Sequence, residues 1–188
     1  MYNESQHPQV QYTLIQLTQS LFYYLQYKPL HDITVTQICE RAGLTRRTFY
    51  RNCDEKEDLI LYACDRLLEQ LLANVDYTSQ NSQAMYLYFF RFWYEHRVFL
   101  RCIYQCALYD LFTERFMSVC NQYTRFPLQD KALRDHPNPE KARRFNNSFL
   151  LGGMVSMLYT WAEENFKSSP ENLVYSILFL VPQEFQRA

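Results

Sequence analysis

Residues 34–52 read TVTQICERAGLTRRTFYRN and contain start and stop signals for two short helices. Thr34 precedes Gln37 by three residues, which is the spacing of a capping box at a helix start. Gly43 can adopt a positive φ and is therefore predicted to end this first helix. Thr45 can cap a second helix that runs to the end of the stretch. The stretch predicts two short helices joined by a tight turn, the pattern of a helix-turn-helix.

The second predicted helix has a single apolar anchor, Phe49, and polar side chains at its other positions. Arginine can donate two hydrogen bonds to the edge of a guanine, and asparagine can bind an adenine in the same way. These polar side chains indicate that the second helix binds DNA. The alternative interpretation is a polar face that contacts only water. On the DNA-binding interpretation, the first helix contributes Thr36 and Gln37, where amino-terminal amides can bind a phosphate. The second helix contributes Arg46, Arg47, Thr48, Tyr50, Arg51 and Asn52.

Amphipathic helices are predicted on both sides of this stretch. Apolar residues recur at steps of three and four residues between Gln9 and Tyr27, which is the periodicity of one buried helix face. Asp54, followed three residues later by Glu57, is predicted to begin another helix that runs to about Val75. The helix-turn-helix is therefore expected to lie within a small helical domain.

The remainder of the chain predicts helices and no strand. Three glycines in 188 residues disfavour a fold of many short strands joined by tight turns. Helices are predicted at 84–105 with a break near 95–98, at 108–124, at 139–166 and at 170–184, with a proline-containing loop at 127–139. We therefore predict an all-α fold of about nine helices. It consists of an N-terminal three-helix DNA-binding domain, residues 1–56, and a larger C-terminal helical domain, residues 57–188.

The composition is that of a folded protein, and we expect no targeting segment. Hydrophobic residues make up 48% of the chain and charged residues 21%, and the formal net charge is -1. The polar start lacks the apolar region of a signal peptide. The longest apolar stretch, residues 149–161, is shorter than the ~20 residues that cross a bilayer. Six cysteines without a CxxC pair suit reduced thiols, so we expect a cytoplasmic protein that contacts no membrane.

No arrangement typical of a catalytic or metal site stands out in the sequence. It contains no recognisable Ser-His-Asp set, paired carboxylates or glycine-rich phosphate loop, so we expect neither an enzyme nor a cofactor. An all-helical enzyme with a dispersed site is the alternative. Cys102 and Cys106 share one helix face, but neither His96 nor His136 lies at metal-ligand spacing from them. Two core thiols are therefore favoured over a metal or redox role.

Residues 33–60, ITVTQICERAGLTRRTFYRNCDEKEDLI, resemble the TetR/AcrR family of bacterial regulators. The family has a similar pattern, with an Ile-Thr start, an I-A-x-x-A-G-V-S turn, a T-F/L-Y-x-H-F segment and K-x-x-L at the start of its fourth helix. The length of the chain and its first predicted helix also agree with the family. The resemblance implies a DNA-binding transcriptional regulator.

Two positions depart from the family pattern. Cys39 stands where alanine is usual, which exchanges one small apolar residue for another. Asn52 and Cys53 stand where His-Phe is common, so a large packing group is missing between the third and fourth helices. We expect a neighbouring aromatic ring, from Tyr62 or Phe22, to fill that space.

The resemblance also implies a homodimer on a pseudo-palindromic operator. In register with the family, Tyr50 and Lys56 would contact phosphates. The last two helices would pair with those of a second subunit, and adjacent glycines would permit close approach. A helix contact within one chain is the alternative. The predicted interface residues are Gly152, Gly153, Trp161, Leu173 and Ile177.

The aromatic run from Tyr86 to Phe112 is the candidate effector site. Such a run is more often core, but it holds more rings than one inward face can bury, so some can line a pocket for a small apolar or aromatic ligand. The predicted lining residues are Phe89, Phe90, Trp93, Tyr104 and Phe149. We expect a repressor that such a ligand releases from DNA. The alternative is a regulator or activator controlled by a protein partner.

Overall fold

The fold is all-helical across the residues that a computed structural model describes, which are 1–3, 5–75, 82–122 and 137–178. These ranges contain nine α-helices, a short 3-10 helix at Leu30–Asp32 and no strand, which confirms the predicted fold class. The α-helices are α1 Pro8–Leu25, α2 Val35–Ala42, α3 Arg46–Asn52, α4 Glu57–Ala73, α5 Ser82–Glu95, α6 Arg97–Gln105, α7 Tyr109–Gln122, α8 Pro139–Glu163 and α9 Pro170–Leu178. None of the described helices is long and apolar enough to cross a membrane.

The start of α4 differs from the prediction. The sequence predicts that Asp54 begins this helix, whereas the structure begins it at Glu57. The reason is that the Asp58 carboxylate accepts the backbone N–H groups of Asp54 at 2.8 Å and Glu55 at 3.2 Å. Those bonds hold a separate turn ahead of the helix.

The later helices follow the predicted pattern where they are described. The predicted break lies at His96, between α5 and α6. Asn138 caps α8 by accepting the Lys141 N–H at 3.1 Å, and Pro139 occupies the first position. Most of the predicted loop at 127–139, and the predicted end of the last helix beyond 178, lie outside the described residues.

The chain divides into two compact units, Met1–Leu68 and Glu69–Ala188. The boundary lies within α4, whereas the sequence-based boundary is at residue 56. In the first unit, α1 packs against α2 and α3. Its fully buried residues include Leu14, Leu17, Leu21, Ile38 and Phe49. This core fixes the positions of α2 and α3.

The second unit has a core of aromatic rings. Helix α5 packs against α9, and α6 and α7 pack against α8. Trp93 is fully buried and meets Phe112 edge-on, with ring centroids 5.4 Å apart. Trp161 is 1% exposed and meets Phe90 in the same way at 6.1 Å. Edge-to-face contacts of this kind stabilise beyond the burial of their area.

Candidate DNA-binding surface

The helix-turn-helix is held by hydrogen bonds between near neighbours in sequence. The Thr34 hydroxyl accepts the Gln37 N–H at 3.2 Å, and the Gln37 side chain accepts the Thr34 N–H at 3.0 Å. This is the predicted capping box, and it begins α2. At the other end, Gly43 has φ of 66° and the next N–H, that of Leu44, donates to the Cys39 carbonyl at 2.9 Å. This C-terminal bond pattern requires a residue in the left-handed region, which explains the glycine.

Helix α3 begins at its own cap and turns one face inward. The Thr45 hydroxyl accepts the Thr48 N–H at 3.1 Å, which satisfies one of the free amides of the first turn. Phe49 is fully buried and anchors the helix to the core. With Phe49 inward, four long side chains lie exposed on the other side. We call this set the recognition face, and it consists of Arg46, Arg47, Tyr50 and Arg51.

The recognition face is partly ordered by its own contacts. The Arg46 guanidinium lies 5.8 Å from the centre of the Tyr50 ring, a cation-π distance. Tyr50 is 51% exposed even though its ring edge contacts Phe49. Thr48, which the sequence also assigns to DNA, is half-buried beside Thr45. The exposed donors are therefore three guanidinium groups and one phenol on a single short helix.

Asn52 does not lie on the recognition face, contrary to the sequence-based prediction. It is 2% exposed, and its amide nitrogen donates to the Thr48 carbonyl at 2.7 Å. Its side-chain oxygen has no hydrogen-bond partner among the described residues. The reason is position, because residues three apart share a helix side and Phe49 points into the core. The Asn52 side chain therefore points into the core of the first unit.

Lys56 is also used inside the first unit. Its ammonium group donates to the carbonyl of Leu30 at 2.6 Å and to that of Ile33 at 2.9 Å. It thus ties the segment before α2 to the turn before α4. The family resemblance implies that Lys56 contacts phosphates, whereas in this fold its ammonium group donates to backbone carbonyls. The phosphate contact of Lys56 stays a prediction.

The remaining two predicted residues lie at the start of α2. Thr36 is exposed in its first turn. The Gln37 side chain is half-buried and accepts from both Thr34 and Lys28, the latter at 2.9 Å. Gln37 therefore positions α2, whereas Thr36 is accessible to a phosphate.

The aromatic residues predicted to line a pocket separate into three places. Phe89, Phe90 and Trp93 are buried, and the Phe89 ring contacts each of the other two. Tyr104 lines a cavity of about 10 Å³ between α6, α7 and α8, together with Ile103, Tyr109, Phe112, Leu158 and Tyr159. Phe149 is 78% exposed, so its assignment to a pocket is not supported by its position. The spacing of the apolar residues along α8 does not by itself reveal which side of the helix packs against the core.

The predicted dimer-interface residues also lie in different environments. Trp161 belongs to the core, where its indole N–H donates to the Ser168 carbonyl at 2.9 Å. At Gly152 and Gly153, a β-carbon would find no described atom within 4 Å, so no contact within the described chain requires these glycines.

Phe145, to which the sequence-based prediction assigns no role, is 65% exposed and precedes Phe149 by one helical turn. Leu173 and Ile177 are half-buried on α9. We call Phe145, Phe149, Gly152 and Gly153 the outer face of α8.

Residues 80–182 match the family model for the C-terminal region of TetR-type transcriptional regulators. This range covers more than half of the chain and includes the aromatic core, the cavity and the outer face of α8. No curated protein sequence matches the chain.

Solved structures share the fold over nearly the whole length. Lin0861 from Listeria innocua superposes with a TM-score of 0.70 at 17% identity, covering 95% of this chain and 93% of the other. The dihydroxyacetone kinase operon activator DhaS superposes with a TM-score of 0.66 at 18% identity, covering 93% of this chain and 96% of the other. At these identities the similarity concerns the fold.

Proposed function

Because this chain belongs to the TetR family of transcriptional regulators, we propose that it binds an operator as a homodimer through the recognition face. The observation that carries the proposal is the exposure of Arg46, Arg47, Tyr50 and Arg51 on a helix that both a cap and Phe49 hold in place. Guanidinium groups suit both guanine edges and phosphates, so one short helix can position and read DNA.

The proposed DNA site has two-fold symmetry. A homodimer presents two copies of α3, and each would enter a major groove. Its half-sites are then expected about one helical turn, or slightly more, apart, which is roughly 34–36 Å. Such a protein acts where the chromosome lies, in the cytoplasm of a bacterial cell.

The outer face of α8 supports the homodimer. Phe145 and Phe149 are exposed one helical turn apart, and the glycines that follow them have room for a second helix. Tyr175, on α9, is a further large exposed ring at 64%. Exposed apolar groups of this size on neighbouring positions suit a protein interface.

The proposed mode of control is a small apolar or aromatic molecule that releases the repressor from DNA. The cavity supports this mode because apolar side chains and four aromatic rings line it, those of Tyr104, Tyr109, Phe112 and Tyr159. Its volume of about 10 Å³ holds roughly one water. A ligand must therefore bind a more open form and shift the equilibrium towards it.

A second candidate is an activator or regulator that a protein partner controls. The rings of Tyr104 and Tyr109 pack on Tyr159, at 5.2 and 4.5 Å between ring centroids. This packing favours the second candidate because the cavity that the rings line holds only about one water. A protein with a similar fold, DhaS, is an operon activator.

The test is selection of bound fragments from a random DNA pool by the purified full-length chain. The proposal expects an enriched pseudo-palindrome that competes with non-specific DNA at fixed salt. Recovery of unenriched fragments would contradict it. A reporter gene carrying the selected site then separates repression from activation, because its expression falls or rises when the protein is present.

The mode of control requires a separate measurement. Native mass spectrometry of protein isolated from cells would detect a small bound molecule, and adding that molecule should release the selected DNA. A partner protein that changes operator affinity without any small molecule would favour the second candidate.

A further inference from the structure

Two thiols lie in contact at the carboxyl end of α6. The sulfur atoms of Cys102 and Cys106 are 3.8 Å apart, across the last helical turn. The remaining cysteines, Cys39, Cys53, Cys64 and Cys120, are at most 2% exposed. Cys102 is 4% exposed, whereas Cys106 is the one cysteine that is not buried. The pair therefore joins a partly exposed cysteine to a buried one.

We propose that Cys102 and Cys106 form a redox-reactive pair that exchanges with low-molecular-mass disulfides and closes to an intramolecular disulfide. This chemistry does not depend on DNA binding, so it stands or falls separately from the proposed function. The sequence favours two core thiols, but spacing alone does not reveal that the two sulfurs are in contact and that one of the two residues is partly exposed.

The environment gives the two sulfurs different roles. The hydrogen bond with Cys106, followed by burial, raises the pKa of the Cys102 thiol. Cys102 therefore keeps its proton at neutral pH and can donate it towards the Cys106 sulfur. Cys106 is the partly exposed residue of the two and is therefore assigned the reaction with an incoming disulfide. The thiolate is the attacking form in such exchange.

The reaction balances in two steps. The Cys106 thiolate attacks one sulfur of a disulfide RSSR, forms a mixed disulfide and releases one RS⁻. Once Cys106 carries the mixed disulfide, the Cys102 proton passes to the released RS⁻ to give RSH, and the Cys102 thiolate attacks the Cys106 sulfur and releases the second RS⁻. The two cysteines lose two electrons, and the reagent gains them as one thiol and one thiolate.

Closure must deform the end of α6. Residues four apart on a helix have β-carbons about 5–6 Å apart, whereas a disulfide needs about 3.5–4.5 Å. Cys106 lies just past the last helical residue, and its N–H donates to the Cys102 carbonyl at 2.9 Å. The following Ala107 has φ of 54°, a conformation that few alanines adopt. The last turn is therefore the part of α6 whose backbone can change conformation when the disulfide closes.

The deformation would reach the cavity. Ile103 and Tyr104 lie between the two cysteines in sequence and both line it. The Ile103 carbonyl also accepts the Leu108 N–H at 3.0 Å, which closes the turn into α7. Oxidation is thus expected to move part of the cavity wall.

The test equilibrates the full-length protein with oxidised glutathione, blocks remaining thiols with iodoacetamide and digests with trypsin. Cleavage after Arg101 and Arg115 leaves both cysteines on one peptide, without any other cysteine. The proposal expects this peptide to lose two hydrogens and carry no alkyl group, while the four buried cysteines are alkylated after unfolding. A doubly alkylated peptide, or a lasting glutathione adduct on Cys106, would overturn it.

Two variants assign the roles. Cys102→Ala should accumulate the mixed disulfide at Cys106, because the second sulfur is missing. Cys106→Ala, at the more exposed position, should leave Cys102 unmodified and tests the proposal even if the first variant folds poorly. Modification of Cys102 in that variant would contradict the assigned order. Hydrogen exchange of residues 103–108 should rise about tenfold on oxidation of the wild type, and not in either variant.

Discussion

The backbone N–H of Asn3 donates a 2.7 Å hydrogen bond to the carbonyl oxygen of Asn52, the last residue of α3. Final carbonyls of a helix lack partners within the helix, and this contact satisfies one of them. The preceding Tyr2 places its ring edge-on against Tyr62, at 5.4 Å, and its hydroxyl donates to Asp65. The amino-terminal segment therefore links the end of α3 to α4.

We expect Tyr2→Ala to destabilise the first unit by about 1–2 kcal/mol, because it removes one aromatic pair and one hydrogen bond. Chemical denaturation followed by circular dichroism measures the change. Tyr12→Ala, at a tyrosine of α1 that is 60% exposed, is the matched control and should have little effect. Equal losses in the two variants would show that the segment does not hold α3.

Arg47→Ala should weaken binding to a selected operator by ~1–3 kcal/mol if Arg47 reads a base. Fluorescence anisotropy at several salt concentrations measures this. A base contact predicts lost discrimination at one base pair, whereas a phosphate contact predicts uniform weakening and a salt slope lower by about one. Arg97→Ala, in the second unit, is the control. Unchanged affinity for Arg47→Ala would remove this residue from the interface.

Lys56→Met should lower the free energy of unfolding by about 1–3 kcal/mol, because it removes the charged hydrogen bonds to the Leu30 and Ile33 carbonyls. The methionine retains most of the apolar stem. The salt dependence of DNA binding should stay unchanged, since Lys56 is bonded internally. Lys167→Met, at an exposed lysine, serves as the control. Unchanged stability with a salt slope lower by about one would instead identify a phosphate contact.

Phe149→Glu should separate the proposed dimer, because it places a charge in an apolar interface. A loss of at least about 2 kcal/mol in association is typical of a central anchor. Sedimentation velocity at several protein concentrations measures it. Val98→Glu introduces the same charge at an α6 position that is 49% exposed and should leave the dimer intact. A Phe149→Glu dimer of unchanged affinity would move the interface elsewhere.

The sequence predicts best what neighbouring residues decide among themselves. The capping box at Thr34, the turn at Gly43 and the cap at Asn138 depend on bonds that span three to five residues. Their chemistry is visible in one stretch of chain. These signals, combined along the chain, also predict the all-α fold.

What the sequence predicts poorly depends on distant partners. The bonds of Lys56 to Leu30 and Ile33 join residues more than twenty positions apart. The exposure of Phe149 depends on which side of α8 meets the core, and broad apolar patterning on that helix leaves the choice open. The sequence predicts that the ring of Tyr62 or Phe22 fills the space left by the small Cys53. Tyr62 is 3% exposed, and its ring contacts that of Tyr2, a pairing that no local pattern indicates.

The positions of Trp93 and Trp161 give the protein a built-in optical probe. They are its two tryptophans, and both are buried in the core of the second unit. The indole N–H of Trp161 is hydrogen-bonded, whereas that of Trp93 has no partner among the described residues. Tryptophan emission therefore reports on the core of the second unit. Single Trp→Phe variants would assign the signal of each ring, so ligand entry or disulfide closure can be followed by fluorescence without a label.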